Sequence, residues 1–302
     1  MGGPWRDHPS WQLVPELSEV AGRDIAELLL DAGSEMLRAT RNAQLATYAL
    51  SLVVLDAATR GPLNHLEAGP RGLDGLAAVA GHSLGEYTAL VAAGALDAGA
   101  GARLVQARSE AMQAAADANP GTMAAVLGLD LQGVADACEE AKESWVANDN
   151  TPGQVVVAGT SRGIEDAGSA ALKRGAKRVV SLQVGGAFHS PLMQPAQAPL
   201  DAALANARFA PVSWPVVANV DARPHSNGFG PLLSAQLCSQ VRWRESLLTL
   251  AEMGATLFVE LGPGTELSGM VRRTVPEAAR ANVAAPEDLD VLALALSRTE
   301  AG

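Results

Sequence analysis

The segment around residue 83 constrains the fold of this chain more than any other part of the sequence. A short apolar stretch at residues 76–80, LAAVA, leads directly into Gly81-His82-Ser83-Leu84-Gly85. The apolar residues that follow, in EYTALVAAGAL, recur at helical rather than alternating spacing. We therefore predict a strand, a sharp turn that carries Ser83 and then a helix, with glycines that let the strand and the helix approach closely.

Strands and helices alternate on both sides of a distinct central segment. Residues 100–117 carry the apolar stripe of a helix that ends before the breaker Asn119-Pro120-Gly121. Beyond residue 186 we predict helices at 191–206, 230–238, 242–254 and 265–275, and strands at 215–219 and 256–261. This alternation predicts an α/β fold with a mostly parallel sheet that is covered by helices.

The central segment has its own order of elements. We predict strands at 122–127, 145–148, 154–158 and 177–183, and helices at 131–143 and 161–174. The resulting β-α-β-β-α-β order is that of the split ferredoxin-like unit. We therefore expect a catalytic core formed by residues 1–120 and 186–302, with a ferredoxin-like insertion at 121–185.

Composition excludes several classes of protein. The chain has 302 residues, with 33 acidic and 22 basic ones, so its net charge of −11 has the wrong sign for coating nucleic acid. No apolar run approaches the roughly 18 residues of a spanning helix, and the N-terminus lacks the pattern of a signal peptide, so we expect a cytoplasmic protein without membrane contact. Cys138 and Cys238 lie far apart without CxxC or Cys/His clustering, so we expect no metal site.

Ser83 is a candidate nucleophile, because the turn exposes its hydroxyl at a helix N-terminus. The N–H of Leu84 could then stabilise an oxyanion. A serine hydroxyl needs a base, and His189 lies in the glycine-rich segment VGGAFHSPLM, where its side chain can face a cleft. The other histidines are His8, His65, His82 and His225, which we place in a surface arm, in polar loops or pointing away from the turn.

Five motifs, in order, resemble one known family. They are GHSLGEYTALVAAGAL, ARLVQARSEAMQ, NDNTPGQVVVAGT, GAFHSPLM and VELGPGTEL. The chain is similar over essentially its whole length to the malonyl-CoA:acyl-carrier-protein transacylases, the acyltransferase family of fatty-acid and polyketide synthesis. The resemblance implies a hydrolase-like α/β core with a ferredoxin-like insertion. It also implies a ping-pong transfer of malonyl from coenzyme A to the phosphopantetheine thiol of a carrier protein, with no bound cofactor.

The resemblance also assigns roles to individual residues. Ser83 matches the family nucleophile, and His189 matches its general base. Gln236 matches the residue whose main-chain carbonyl orients that histidine, although this chain has Gln240 where the family has proline. Arg108 matches the arginine that binds the free carboxylate of malonyl, which a planar guanidinium can do with two parallel hydrogen bonds.

Four further residues are assigned to the acyl pocket. Phe188, directly before His189, matches the aromatic residue that goes with malonyl rather than methylmalonyl, and Leu84 after the nucleophile points the same way. Met112 shares the apolar side of the helix that carries Arg108, and Gln44 matches a position near the active site. For Gln44, a role in the structure of its helix is an equal alternative.

Two other functions stay open on the sequence. A serine hydrolase such as a thioesterase could use the same strand, turn and helix, although it gives no reason for Arg108 or for the insertion. A weakly active scaffold is the second alternative, because family members begin with a strand and a glutamine loop that Met1-Gly2-Gly3-Pro4-Trp5 does not resemble. On this basis we expect that the native start lies upstream and that the glutamine loop supplies a second oxyanion donor.

An acidic chain needs local positive charge to bind an anionic carrier protein and coenzyme A. Two basic clusters are candidates for this. They are Lys173, Arg174, Lys177 and Arg178 on the predicted insertion, and Arg242, Arg244, Arg272 and Arg273 near the core.

Overall fold

A computed structural model describes residues 1–64 and 76–299. Its helices are α1 (Leu13–Ala21), α2 (Ile25–Leu30), α3 (Ser34–Arg38), α4 (Thr40–Arg60), α5 (Gly85–Ala92), α6 (Ala98–Ala118), α7 (Leu131–Ala141), α8 (Ser161–Lys173), α9 (Gln197–Ala205), α10 (Phe229–Gln236), α11 (Trp243–Glu252), α12 (Glu266–Thr274) and α13 (Asp288–Thr299). The strands are β1 (Val79–Ala80), β2 (Thr122–Leu127), β3 (Ser144–Thr151), β4 (Gln154–Gly159), β5 (Arg178–Ser181), β6 (Val216–Val217), β7 (Pro224–His225), β8 (Leu257–Leu261) and β9 (Ala279–Val283). Of the helices in these ranges, none combines the length and the apolar character needed to cross a membrane.

The core contains two parallel strand pairs. Strand β1 pairs in parallel with β6, which pairs antiparallel with β7, and β8 pairs in parallel with β9. Whereas the sequence predicts one mostly parallel sheet, the parallel pairs of the described residues lie in two separate sheets. The α/β class is nonetheless as predicted, because helices from both halves of the core pack around these strands.

Strands β1 and β6 are shorter than predicted for a local reason. Pro215 has no N–H to donate to a neighbouring strand, so it limits the start of β6. At the other end, the Asn219 N–H donates to the Glu86 carboxylate at 3.0 Å rather than to a strand. On the β1 side, the ladder stops at Gly81, where the turn begins.

Helices α4 and α6 pack closely and bring together two of the residues that the sequence singled out. A Cβ on Gly101 of α6 would lie 2.0 Å from the Tyr48 hydroxyl oxygen of α4, so only glycine fits at this crossing. The Tyr48 hydroxyl donates to the Ala98 carbonyl at 2.9 Å, and burial raises its pKa far above the ordinary value, so it stays a donor. The crossing places Gln44 of α4 opposite Arg108 of α6.

The central segment folds as the predicted β-α-β-β-α-β unit. Its antiparallel sheet has the order β3-β4-β2-β5, and α7 and α8 pack on the sheet around an apolar cluster of their own that includes Val134, Val157 and Ile164. The predicted domain limits at residues 120/121 and 185/186 stay a prediction.

One seam ties this unit to the core. The Val241 N–H donates to the Ala147 carbonyl at 2.8 Å, and the Asp149 N–H donates to the Val241 carbonyl at 3.0 Å. Arg244 adds an ion pair with Asp149 at 2.8 Å. Strand β3 continues to Thr151, beyond the predicted end at residue 148. Register shifts between Val146 and Asn148 and between Asp149 and Thr151 keep its polar second half paired with β4.

The predicted helix at 191–206 is wrong in its first half. Residues Pro191–Ala196 form a 3-10 helix, and α9 begins only at Gln197. Pro195 lacks the N–H that an α-helix would need at this point, which accounts for the tighter first turn.

Candidate active site

Ser83 lies on a strained turn between β1 and α5. Its φ of 51° is in the left-handed region, which non-glycine residues rarely adopt. A Cβ on Gly81 would lie 1.9 Å from the Gly85 carbonyl oxygen, so the turn requires glycine there. Asn219 holds the turn from the end of β6, because its Oδ1 accepts from the Ser83 N–H at 2.6 Å and its Nδ2 donates to the Gly81 carbonyl at 2.8 Å.

His189 meets Ser83 from the other end of the insertion. The Ser83 Oγ lies 2.7 Å from His189 Nε2, although 106 positions separate the two residues in sequence. His189 Nδ1 lies 2.9 Å from the Gln236 carbonyl oxygen. A carbonyl only accepts, so Nδ1 carries the proton and Nε2 is left free to accept from the serine hydroxyl.

The His189 ring is neutral at physiological pH. It is 4% exposed, and burial, followed by the positive charge of Arg108, lowers its pKa to about 3. Like Ser83, it has a left-handed backbone, with a φ of 59°. A neutral imidazole with a free Nε2 is able to take a proton from Ser83.

Arg108 is a buried cation beside the serine hydroxyl. It is 1% exposed, and its Nη2 donates to the Ser83 Oγ at 3.0 Å and to the Gln236 Oε1 at 3.1 Å. Its Nη1 donates to the Gln44 Oε1, and the guanidinium lies 5.6 Å from the centre of the Tyr87 ring. Burial lowers the pKa of Arg108, but a guanidinium starts from so high a value that it stays charged.

One cavity of about 690 Å³ joins most of the residues that the sequence singled out. Ser83, His189, Arg108, Leu84, Phe188, Gln44 and Met112 all line it. The Met112 sulfur accepts from Gln44 Nε2 at 3.3 Å, which holds the Gln44 oxygen toward Arg108. Gln236 lies behind the cavity wall. Its carbonyl contacts His189, and its side-chain amide contacts Arg108. On the insertion side, Asn148 and Asn150 also line the cavity.

The other described histidines are bonded to groups other than Ser83, although His82 lines the same cavity. The His82 Nε2 lies 2.9 Å from Asn150 Oδ1, His8 caps a 3-10 helix through the Ser10 N–H, and His225 lies 2.9 Å from Asp221 Oδ2. His65 lies outside the described residues. Within the described part of the chain, the Ser83 hydroxyl therefore contacts one histidine, His189.

Sequence reasoning missed Glu86 and Asn219. Glu86 lies in the first turn of α5 and is 2% exposed, and burial raises the pKa of its carboxyl to about 7. Its Oε2 accepts from Gln236 Nε2 at 2.9 Å and from the Asn219 N–H. The available signal was that both polar residues border apolar stretches in which polar side chains are otherwise scarce.

No metal centre is evident in residues 1–64 and 76–299. This part of the chain contains no group of three or more His, Cys, Asp or Glu residues arranged to hold an ion. Cys138 and Cys238 are both free, and burial raises the pKa of each thiol.

An α/β fold with a serine on a strand–helix turn, hydrogen-bonded to a neutral imidazole, defines the class of serine-dependent acyl-transferring proteins. Residues 12–289 match the acyl transferase domain family. The chain is 35% identical over 286 residues to the malonyl CoA-acyl carrier protein transacylase of Bacillus subtilis, which covers 93% of this chain and 87% of the relative. The chain therefore belongs to the malonyl-CoA:acyl carrier protein transacylase family.

Solved structures agree in fold over nearly the whole chain. The malonyl-CoA:acyl carrier protein transacylase of Xanthomonas oryzae superimposes with a TM-score of 0.87 at 38% identity, covering 95% of this chain and 90% of that one. PlMCAT, a malonyl-transacylase solved with the type II PKS acyl-carrier protein AntF, gives a TM-score of 0.89 at 33% identity and covers 97% and 94%.

Proposed function

We propose that this chain transfers malonyl from malonyl-CoA to the phosphopantetheine thiol of an acyl carrier protein, through a malonyl ester on Ser83. The observation that carries the proposal is the Arg108 guanidinium in the same cavity as the serine–histidine pair, 3.0 Å from Ser83 Oγ. A hydrolase of simple esters has no use for a buried cation beside its nucleophile. An acyl group that ends in a carboxylate needs one.

In the first half-reaction, Ser83 Oγ attacks the thioester carbonyl of malonyl-CoA, and His189 Nε2 takes the serine proton. The C–S bond breaks, and the coenzyme A sulfur leaves with that proton from His189. The Gln236 carbonyl accepts from Nδ1–H throughout and so stabilises the imidazolium that forms between the two transfers. A pKa below the ordinary value favours rapid return of the proton.

The oxyanion of each tetrahedral intermediate requires hydrogen-bond donors that are not already used. The Leu84 N–H forms no hydrogen bond with other groups of residues 1–64 and 76–299, and Leu84 is the N-cap residue of α5, directly after the nucleophile. We assign this N–H as an oxyanion donor.

In the second half-reaction, the phosphopantetheine thiol of the carrier protein attacks the malonyl ester. His189 takes the thiol proton and returns it to Ser83 Oγ as the ester C–O bond breaks. No redox cofactor or metal takes part in either step, and coenzyme A enters only as the thioester donor. Because coenzyme A thioesters and carrier proteins meet in the cytoplasm, we propose that location for the chain.

Malonyl recognition is assigned to the wall around Arg108. Gln44 and Gln236 hold the guanidinium by accepting from its two terminal nitrogens, and Met112 fixes Gln44. Acetyl in the same cavity would leave the buried cation without a carboxylate partner, which disfavours it. Phe188 fills space beside His189, where an α-methyl group would have to lie.

For the carrier protein, the two basic clusters are not equally free. In the core cluster, Arg242 pairs with Glu245, Arg244 pairs with Asp149 and Arg273 donates to Gln154. In the insertion cluster, the one described ion pair is Arg174 with Glu140 at 2.7 Å. The insertion cluster therefore offers more unneutralised charge to an anionic partner.

The proposal is tested by incubating the chain with malonyl-CoA and a holo carrier protein. Three products are measured in the same reaction: the malonyl ester on Ser83, malonyl on the carrier protein and free malonate. Ester formation followed by transfer to the carrier protein supports it. Ester formation followed only by release of malonate would instead indicate a thioesterase, because water must be excluded for transfer to exceed hydrolysis. Without any ester on Ser83, the chain would be a scaffold.

Phe188→Ser is expected to raise the use of methylmalonyl relative to malonyl. The substitution opens space beside His189, and one methyl group is worth about 1–3 kcal/mol of discrimination, or roughly 10- to 200-fold. Competition between the two donors measures the ratio, with Phe188→Tyr as the matched control that keeps the ring. If a folded Phe188→Ser variant kept the wild-type ratio, Phe188 would not shape the acyl pocket.

A further inference from the structure

Glu86 is a buried carboxylate that the proposed reaction does not use. It lies one turn beyond the nucleophile, at the start of α5 and 2% exposed. Two donors converge on its Oε2, the Asn219 N–H at 3.0 Å and the Gln236 Nε2 at 2.9 Å. A carboxylate in such surroundings is costly to keep, so a function is worth seeking for it.

The Gln236 side chain connects Glu86 to Arg108. Its Nε2 donates to Glu86 and to the Ser83 carbonyl, both at 2.9 Å, while its Oε1 accepts from Arg108 Nη2 at 3.1 Å. The amide dipole therefore presents its positive end to the carboxylate and its negative end to the guanidinium. No carboxylate within the described residues forms a direct ion pair with Arg108, so Glu86 acts as its counter-charge across this one amide.

We infer that Glu86 is a specificity-determining positioning residue, which holds Arg108 through Gln236 and, when ionised, competes with the malonyl carboxylate for the charge of that guanidinium. This inference rests on the proposed function. It concerns the selectivity of the site rather than the acyl transfer itself, and it predicts an effect on malonyl that acetyl does not share.

The charges in the cavity give the direction of the effect. With Glu86 protonated, Arg108 offers the malonyl carboxylate one uncompensated positive charge. With Glu86 ionised, that positive charge is already balanced. Binding of a malonyl carboxylate then gives the buried site a net negative charge. Acetyl carries no carboxylate, so its loading does not depend on this balance. Two buried like charges repel strongly at the low effective dielectric of such a site.

Among the groups that face one another around Glu86, Glu86 is the one whose charge changes near neutral pH. Arg108 stays charged, burial keeps the pKa of Tyr87 far above neutrality, and His189 is neutral because its pKa is about 3. Asp221 also acts on Glu86, but it is partly exposed and hydrogen-bonded to His225. Burial raises the pKa of Glu86 to about 7, so Glu86 ionises as the pH rises through neutrality.

The experiment compares single-turnover loading of Ser83 by malonyl-CoA and by acetyl-CoA from about pH 6 to about pH 8.5, a range that spans neutrality. The ratio of the two rates cancels titrations common to both donors, such as those of coenzyme A and of the serine–histidine pair. For the wild-type chain we expect the malonyl-to-acetyl ratio to fall as the pH rises, by on the order of tenfold.

Glu86→Gln keeps the shape of the side chain and its acceptor oxygen while removing the charge. We expect its malonyl-to-acetyl ratio to be independent of pH and to exceed the wild-type ratio at the alkaline end. Asp221→Asn is the matched control, because it removes a negative charge that also acts on Glu86 but lies partly in solvent. We expect this control to retain the pH dependence of the wild-type ratio.

Four results would overturn the inference: a pH-independent ratio in the wild type, a retained pH dependence in Glu86→Gln, an equal loss of both donors, or a selective loss of malonyl in that variant. If Glu86→Gln does not fold, the wild-type profile alone decides. A wild-type chain that forms no ester with either donor would instead reject the proposed function, so the two failures are distinguishable.

Discussion

Ser83→Ala is expected to abolish covalent malonylation of this chain. Its hydroxyl is the group at 2.7 Å from a neutral imidazole nitrogen on the strained turn, and alanine leaves His189 with nothing to deprotonate. His189→Ala should lower the loading rate by a factor on the order of 10⁴ to 10⁶, as when one member of a catalytic unit is removed. Intact-protein mass after incubation with malonyl-CoA measures both.

Ser34→Ala is the matched control for this experiment. Ser34 lines the same cavity but is exposed, and it has no imidazole within hydrogen-bond distance in the described part of the chain. We expect it to load at nearly the wild-type rate. Undiminished malonylation of a folded Ser83→Ala variant would show that another residue is the nucleophile.

Arg108→Ala is expected to reduce malonyl loading far more than acetyl loading. A charge-assisted pair with the substrate carboxylate, once one partner is removed from a buried site, costs about 3–5 kcal/mol, or roughly 10²- to 10⁴-fold in rate. Part of any loss is structural, because the Gln44 and Gln236 oxygens also lose their donor. The malonyl-to-acetyl ratio of kcat/KM separates the two contributions, since structural damage lowers both donors together.

Arg103→Ala provides the comparison on the same helix. Arg103 is exposed on α6, so its removal changes the charge of the chain by the same amount without touching the cavity. Arg108→Lys tests the geometry, because it keeps a positive charge but loses the two parallel donors. If malonyl and acetyl fell equally in Arg108→Ala, Arg108 would be a structural residue.

The parts of the site that depend on local sequence could be predicted. The turn at Ser83 follows from glycines and an apolar strand within a few positions, and the buried side of α6 follows from its helical periodicity. In both cases the spacing of nearby residues determines the geometry. The β-α-β-β-α-β order of the insertion was predictable for the same reason, because each of its elements carries a clear pattern.

The parts that depend on distant contacts could not be predicted. Glu86 meets Asn219 and Gln236 across 133 and 150 positions, and no local pattern indicates which polar residue will meet which. Strand β9 was missed because its sequence, ARANV, is exposed at two positions and lacks an apolar run. It pairs in parallel with β8 across the intervening helix α12, and the polar sequence of β9 gives no sign of this pairing.

The insertion also has a consequence for the order in which this molecule folds. Strands β2 and β5 pair antiparallel, and the Leu182 N–H donates to the Met123 carbonyl at 2.9 Å, so the folded insertion brings its two ends side by side. Ser83 and His189 are 106 positions apart in sequence. Once the insertion has folded and its ends lie together, the loop that must close to bring the two residues into contact is much shorter. We therefore expect the insertion to fold early, from its own short-range contacts, and the Ser83–His189 pair to assemble late, once residue 189 has emerged from the ribosome and the core has closed around both ends.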